Sequence, residues 1–225
     1  MGNKLMLVSA FIACMFLFAF TKAEKKKKIV FFGDSITQMG VNKGGYIDIL
    51  NNNLQQWGKA GQYEIIGAGI GGNKIYDLYL RMEKDVLAQH PDVVVIFVGV
   101  NDVWHKSSFG TGTDYDKFGI FYDAVVKKIQ AQGAKVIVVT PAAIGERHDY
   151  SNSQDGDLNI YSNWIRKYAT ENALGLVDLR KIFHEYSLAH NPENNEKGIL
   201  TTDRVHLNEK GNQLVADEMW KAIQY

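Results

Sequence analysis

The sequence predicts an α/β fold, with a parallel β-sheet covered by helices on both faces. Three observations carry that expectation. Short runs rich in β-favouring apolar residues recur five times, and the clearest, Val93-Val94-Val95-Ile96-Phe97-Val98, is apolar throughout, as suits a strand buried on both faces. Segments with apolar residues at helical spacing separate these runs. No repeat or linker-like stretch breaks the alternation, so residues 24–225 read as a single domain of strands joined by crossovers.

The first run, Ile29-Val30-Phe31-Phe32, stops at Gly33, where the backbone can turn sharply, and delivers Asp34-Ser35 to the turn. Tyr46, Ile47, Leu50, Leu54 and Trp57 then recur at helical spacing, ended by Gly58. Tyr63-Glu64-Ile65-Ile66 reads as a short strand running into Gly67-Ala68-Gly69-Ile70-Gly71-Gly72-Asn73. Ile75, Leu78, Tyr79, Met82 and Val86 line one face of a second helix, closed by Pro91. The Val93–Val98 strand delivers Gly99-Val100-Asn101-Asp102 to the sheet's edge, and a polar loop is expected from there to about Asp116. Phe118, Phe121, Tyr122, Val125 and Ile129 mark the next helix. Val136-Ile137-Val138-Val139-Thr140 is a fourth strand, stopped by Pro141 and followed by a loop carrying Arg147, His148 and Tyr150. Tyr161, Trp164, Ile165 and Tyr168 mark a helix, and Leu176-Val177-Asp178-Leu179 a shorter fifth strand. A loop rich in Asn and Glu around Pro192 leads to Asp203-Arg204-Val205-His206. A last helix turns Leu214, Val215, Met219 and Ile223 inward. The loops after the third, fourth and fifth strands all leave from carboxyl ends, where open α/β sheets hold their sites, and are expected to wall a pocket over Ser35.

Basic and acidic residues number 25 each, so no net field argues for a nucleic-acid partner. Leu5 to Phe20 is almost unbroken apolar sequence, preceded by Lys4 and followed by Thr21-Lys22-Ala23. That is short for a membrane span and suits a signal peptide over residues 1–23, with a secreted or periplasmic chain starting near Glu24. Two alternatives stand beside it. Lys22 and Lys25 to Lys28 put more positive charge after the apolar run than before it, which fits an uncleaved anchor. Cys14 offers a lipid attachment point, although apolar sequence continues beyond it. As the sole cysteine, Cys14 leaves residues 24–225 without a disulfide or a thiol nucleophile.

Asp34-Ser35 supports two readings equally. A hydroxyl at the end of a buried strand can be a nucleophile, and Ser35-Ile36-Thr37-Gln38 also fits the capping box of a helix start. Ester hydrolysis by serine needs a base, a carboxylate to orient that base, and donors for the oxyanion. Asp203 and His206, three residues apart just before the last helix, can supply the first two, although a helix start also favours Asp for capping alone. Gly72 can offer a bare backbone N–H, and Asn101 a side-chain amide or a cap for its own loop.

Together, Gly33-Asp34-Ser35-Ile36-Thr37, Gly69-Ile70-Gly71-Gly72, Gly99-Val100-Asn101-Asp102 and Asp203-Arg204-Val205-His206-Leu207 resemble the blocks of the GDSL-type esterases and lipases, the SGNH hydrolase superfamily. They occur in the family's order and span nearly the whole of residues 24–225. The resemblance implies a flavodoxin-like three-layer α/β/α sandwich with a five-stranded parallel sheet in the order 2-1-3-4-5. It implies Ser35 as nucleophile, His206 as general base and Asp203 as its orienter. It further implies an oxyanion hole from the N–H groups of Ser35 and Gly72 and the amide of Asn101, with Asp34 a structural hydrogen-bond hub. Thr37 stands where a G-x-S-x-G elbow needs glycine, which disfavours the larger α/β-hydrolase fold.

The rival class is a dinucleotide-binding oxidoreductase, because Gly67-x-Gly69-x-x-Gly72 matches the fingerprint between a strand and a helix. Its acidic ribose ligand should end the following strand, whereas Asp92 begins it. The other histidines show no paired metal spacing, so neither metal nor cofactor is expected. The implied substrate is a small-molecule or glycan ester, with no stable membrane association once the signal is cleaved; lysophospholipid or thioester substrates are the alternative. Trp104, His105, Phe109, Tyr115, Arg147, His148 and Tyr150 are candidate pocket residues among polar neighbours, a mixture that suits a sugar or, equally, the packing of loops onto the body. No nearby loop carries an apolar stretch long enough for an acyl groove, so short acyl groups, acetyl foremost, are expected.

Overall fold

The structure, a computed structural model, describes residues 25–224. The signal-peptide expectation for residues 1–23 lies outside them. Five strands, β1 (Lys27–Gly33), β2 (Tyr63–Gly69), β3 (Val93–Phe97), β4 (Lys135–Val139) and β5 (Gly175–Val177), form one sheet in the order β2-β1-β3-β4-β5. Every pairing is parallel. Gly33 pairs with Gly69 on one side and Phe97 on the other, so three strands end level. The chain leaves β1 toward one edge and returns to β3 on the other side, which opens a crevice at the carboxyl ends of β1 and β3.

Among the described residues eight α-helices cover the sheet: α1 (Ser35–Gly40), α2 (Tyr46–Gln56), α3 (Ile75–Asp85), α4 (Val100–Ser108), α5 (Tyr115–Ala131), α6 (Asp155–Glu171), α7 (Leu179–His190) and α8 (Glu209–Ile223). The two outer layers show in the pairs that pack together, α2 with α8 and α3 with α5. Ile29 to Phe32 of β1 and Val93 to Ile96 of β3 are buried, as apolar central strands between two helical layers should be. Each such side chain contributes about 1.5–3 kcal/mol through burial, so the centre of the sheet is the stiffest base for a site. No helix among the described residues is long and apolar enough to cross a membrane.

The strand order and the layers follow the sequence reading, and the differences have local causes. The expected loop after β3 opens instead with α4, because Val100 and Val103 are buried one turn apart and draw that stretch onto the body. The stretch after β5 is also helical. Asp178 caps α7 by accepting from Lys181 N at 3.3 Å, and Leu179 and Phe183 pack inward at i, i+4. β2 runs on to Gly69, so two glycines of the supposed dinucleotide fingerprint lie inside a strand. A β-carbon on Gly69 would stand 2.1 Å from Gln38 N, and one on Gly67 2.3 Å from a Val41 methyl. These glycines let α1 press on the sheet, which replaces the dinucleotide-fingerprint reading.

Candidate active site

At the end of β1 the chain turns directly into α1. Gly33 is required there by close approach, since a β-carbon would meet Phe97 O at 2.3 Å and Thr37 Oγ1 at 2.4 Å. Asp34 caps the helix by accepting from Ile36 N at 3.0 Å. Ser35 is therefore the first helical residue and not the cap, and Gln38 turns away from any capping box to accept from Gly71 N at 2.8 Å. The cap position belongs to Asp34, which leaves the Ser35 hydroxyl free for another partner.

That partner comes from the far end of the chain. Ser35 Oγ lies 2.8 Å from His206 Nε2, and His206 Nδ1 lies 2.7 Å from Asp203 Oδ2. The other Asp203 oxygen accepts from Val205 N at 3.1 Å and His206 N at 2.8 Å. A carboxylate at Nδ1 favours the tautomer with its proton there, which leaves Nε2 to accept the serine hydroxyl. Burial works to raise the Asp203 carboxyl, but these hydrogen bonds outweigh it and hold the group below the usual carboxylate range.

The turn carrying this pair is fixed from outside. Glu146, only 5% exposed, accepts from the N–H groups of Ile199 at 2.8 Å, Leu200 at 2.6 Å and Thr201 at 2.8 Å. Gly145 N donates to Arg204 O at 2.9 Å. Asn208 caps α8 by accepting from Gly211 N at 3.0 Å, so the histidine sits between a clamped loop and a capped helix. Sequence reading missed Glu146, because a carboxylate serving backbone groups more than fifty residues away leaves no local pattern.

Gly72 and Asn101 are linked through Asn73, which follows Gly72 and takes the Asn101 amide on its carbonyl. Gly72 adopts φ +75°, a conformation that favours glycine, and its N–H has no acceptor among the described residues. Asn101, in the first turn of α4, donates from Nδ2 to Asn73 O at 3.1 Å, which leaves the second amide hydrogen for another acceptor.

Two buried carboxylates lie behind these groups. Burial raises Asp34 to about 7; the Ile36 N–H opposes that rise and the nearby Asp102 adds to it. Burial likewise raises Asp102 to about 6, against the Thr113 hydroxyl, the Ile75 N–H and the Lys74 ammonium. Asp102 Oδ1 accepts from Ile75 N at 3.2 Å, while Oδ2 makes no hydrogen bond of ordinary geometry among the described residues and has the buried Thr113 hydroxyl as its neighbouring donor. Lys74, itself buried, donates to Gly72 O at 3.2 Å.

The expected pocket residues divide into two groups. Trp104 lies edge-on to His206 with ring centroids 6.2 Å apart, and His105 packs on Phe109 at 4.8 Å. Burial, reinforced by Lys74, holds the His105 ring below its usual pKa. Arg147, His148 and Tyr150 instead fasten their loop to the body. Tyr150 stacks on His184 at 4.7 Å, His148 Nε2 lies 3.0 Å from Asn191 O, and Arg147 is 3.8 Å from Glu196. Tyr115 packs against Tyr161 at 5.5 Å.

A parallel sheet in this order, with a serine at the end of β1 and a histidine leading the last helix, is the architecture of the SGNH hydrolases, a superfamily of ester hydrolases. The model of the GDSL-like Lipase/Acylhydrolase family matches residues 31–214, and the chain belongs to that family. An acetyl xylan esterase of known structure, AlAXEase, is 65% identical, covers 87% of this chain and 99% of its own, and superposes with a TM-score of 0.87. The acetylxylan esterase of Geobacillus stearothermophilus is 27% identical over 217 residues, 88% of this chain and 94% of the relative. The lipoprotein YqeF of Bacillus subtilis is 27% identical over 225 residues, 89% of this chain and 91% of the relative. The chain is thus a carboxylic ester hydrolase, and the oxidoreductase alternative falls.

The buried Asp102 carboxyl has a stability signature. Its folded-state pKa of about 6 lies above the unfolded value, so the folded chain holds a proton that the unfolded chain releases. Its contribution is most favourable below about pH 4 and is lost as pH rises to about 6, a swing of roughly 3 kcal/mol. Asp102→Asn keeps an oxygen for Ile75 N and should flatten this part of the stability curve. Urea melts of both proteins from pH 4 to 7 measure it; parallel curves would mean that Asp102 stays ionised.

Proposed function

We propose that this chain is a serine esterase that removes acetyl groups from carbohydrate esters through an acyl-enzyme on Ser35. The observation that carries this reading is the continuous hydrogen-bonded chain Ser35–His206–Asp203, 2.8 Å and 2.7 Å long at its two links, with a Gly72 N–H that has no acceptor among the described residues. The substrate class is supported by the relatives named as acetylxylan esterases.

Ser35 Oγ attacks the ester carbonyl carbon while His206 Nε2 takes the hydroxyl proton. Asp203 keeps Nδ1 as a donor and stabilises the imidazolium that forms. The carbonyl electron pair moves onto oxygen, which meets the N–H groups of Ser35 and Gly72 and the free amide hydrogen of Asn101. A first helical turn has N–H groups without intrahelical acceptors, so Ser35 at that position can serve as both nucleophile and donor. Collapse breaks the bond to the sugar oxygen, which receives the proton from His206. Water, deprotonated by the same nitrogen, then releases acetate and restores the Ser35 hydroxyl.

Short acyl groups fit the surroundings. Phe109 is 67% exposed and rests on His105, so it forms no dry wall with Trp104. A dry groove would add about 0.8 kcal/mol per methylene, roughly fourfold in kcat/KM. The p-nitrophenyl ester series should therefore peak at acetate or propionate and decline beyond butyrate, and acetylated xylo-oligosaccharides should release acetate. A maximum at octanoate or longer would point to lipid or thioester substrates instead.

Asn101 acts on charge that exists only in the transition state. Asn101→Ala should lower kcat by roughly 10²–10³ with KM nearly unchanged. Steady-state kinetics on p-nitrophenyl acetate read this directly, and a raised KM with intact kcat would make Asn101 a substrate-binding residue.

A further inference from the structure

Arg81, on α3, is 14% exposed and holds two backbone carbonyls and two side chains with one guanidinium. Its Nη2 donates to Gly33 O at 2.7 Å, at the end of β1, and to Ala68 O at 3.0 Å, one residue before the end of β2. Its Nε donates to Asn73 Oδ1 at 2.7 Å, and its Nη1 to Asp85 Oδ2 at 2.8 Å. The guanidinium plane also lies 4.6 Å from the Phe32 ring centroid. Gly33 precedes Asp34-Ser35, and Asn73 follows Gly72 and takes the Asn101 amide on its carbonyl at 3.1 Å.

We propose that Arg81 is a positioning residue that sets the distance between the nucleophile turn and the oxyanion turn. The inference rests on the serine-esterase reading of Ser35, Gly72 and Asn101. A planar fork with fixed donor directions suits this task, because two of its edges address different segments while packing on Phe32 stops rotation. Lysine, a single flexible point donor, cannot hold the same set. Arg81 touches no reacting atom. Its effect is on geometry, where a displacement of about 1 Å can cost a hundredfold in rate.

The test compares wild type with Arg81→Lys, Asn73→Ala, Arg81→Ala and Ser35→Ala on p-nitrophenyl acetate, with a thermal melt of each. Arg81→Lys should lower kcat by roughly 10–100-fold with KM within about twofold. Asn73→Ala cuts only the arm to the oxyanion turn and leaves both strand contacts. It should lower kcat by about tenfold with a melt near wild type, a split that a purely structural arginine would not produce. Millimolar guanidinium should restore activity to Arg81→Ala, and methylammonium should not. Ser35→Ala should be inactive; activity in that variant would overturn the esterase site and this proposal with it. With Ser35→Ala inactive, wild-type kcat in Arg81→Lys and Asn73→Ala would overturn the positioning role alone. A kcat loss matched by an equal loss of folded protein, without guanidinium rescue, would do the same.

Discussion

The hydrogen bond between Ser35 Oγ and His206 Nε2 joins residues 171 positions apart, and the candidate site exists only while both ends hold still. Neither end relies on that bond for its own placement. Ser35 is fixed by β1, buried between β2 and β3, and by the Asp34 cap of α1. His206 is fixed by Asp203 on its own turn and by Glu146 beneath the preceding loop. A single hydrogen bond contributes little net stability, so it can mark the meeting of two rigid bodies but cannot create it.

The carboxylates nearest the site are sorted by their surroundings. Asp203 has a half-exposed side chain and hydrogen-bond donors on both oxygens, which keep it ionised beside the imidazole. Asp34 and Asp102 are buried behind the catalytic candidates and are pushed upward in pKa. Only the first can orient a histidine as a charge at low pH. The other two act on the backbone, Asp34 at the start of α1 and Asp102 at the N–H of Ile75 at the start of α3. Three chemically identical groups thus serve different ends through burial and donor count alone.

What the sequence made legible was local. The apolar run Val93–Val98 announced the central strand, and Gly33-Asp34-Ser35 and Asp203-x-x-His206 announced the polar turns. α4 and α7 were harder to see, because each buries a narrow face within a polar stretch. Gly67 and Gly69 matched a dinucleotide fingerprint, since sequence spacing cannot tell a glycine needed by a ligand from one needed by a neighbouring helix. Glu146 and Arg81 were illegible for another reason. The partners of Glu146 and two of those of Arg81 are distant backbone atoms, which carry no side-chain identity to match.

A serine esterase of this design passes its acyl group through a covalent bond to Ser35, as proposed above. Rapid mixing with excess p-nitrophenyl acetate, acid quench and peptide mass analysis tests it most directly. An initial burst of nitrophenol with one acetyl group on the peptide containing Ser35, absent in Ser35→Ala, is the expected result. Acetyl on another residue, or turnover that persists in Ser35→Ala without any acylated peptide, would contradict it.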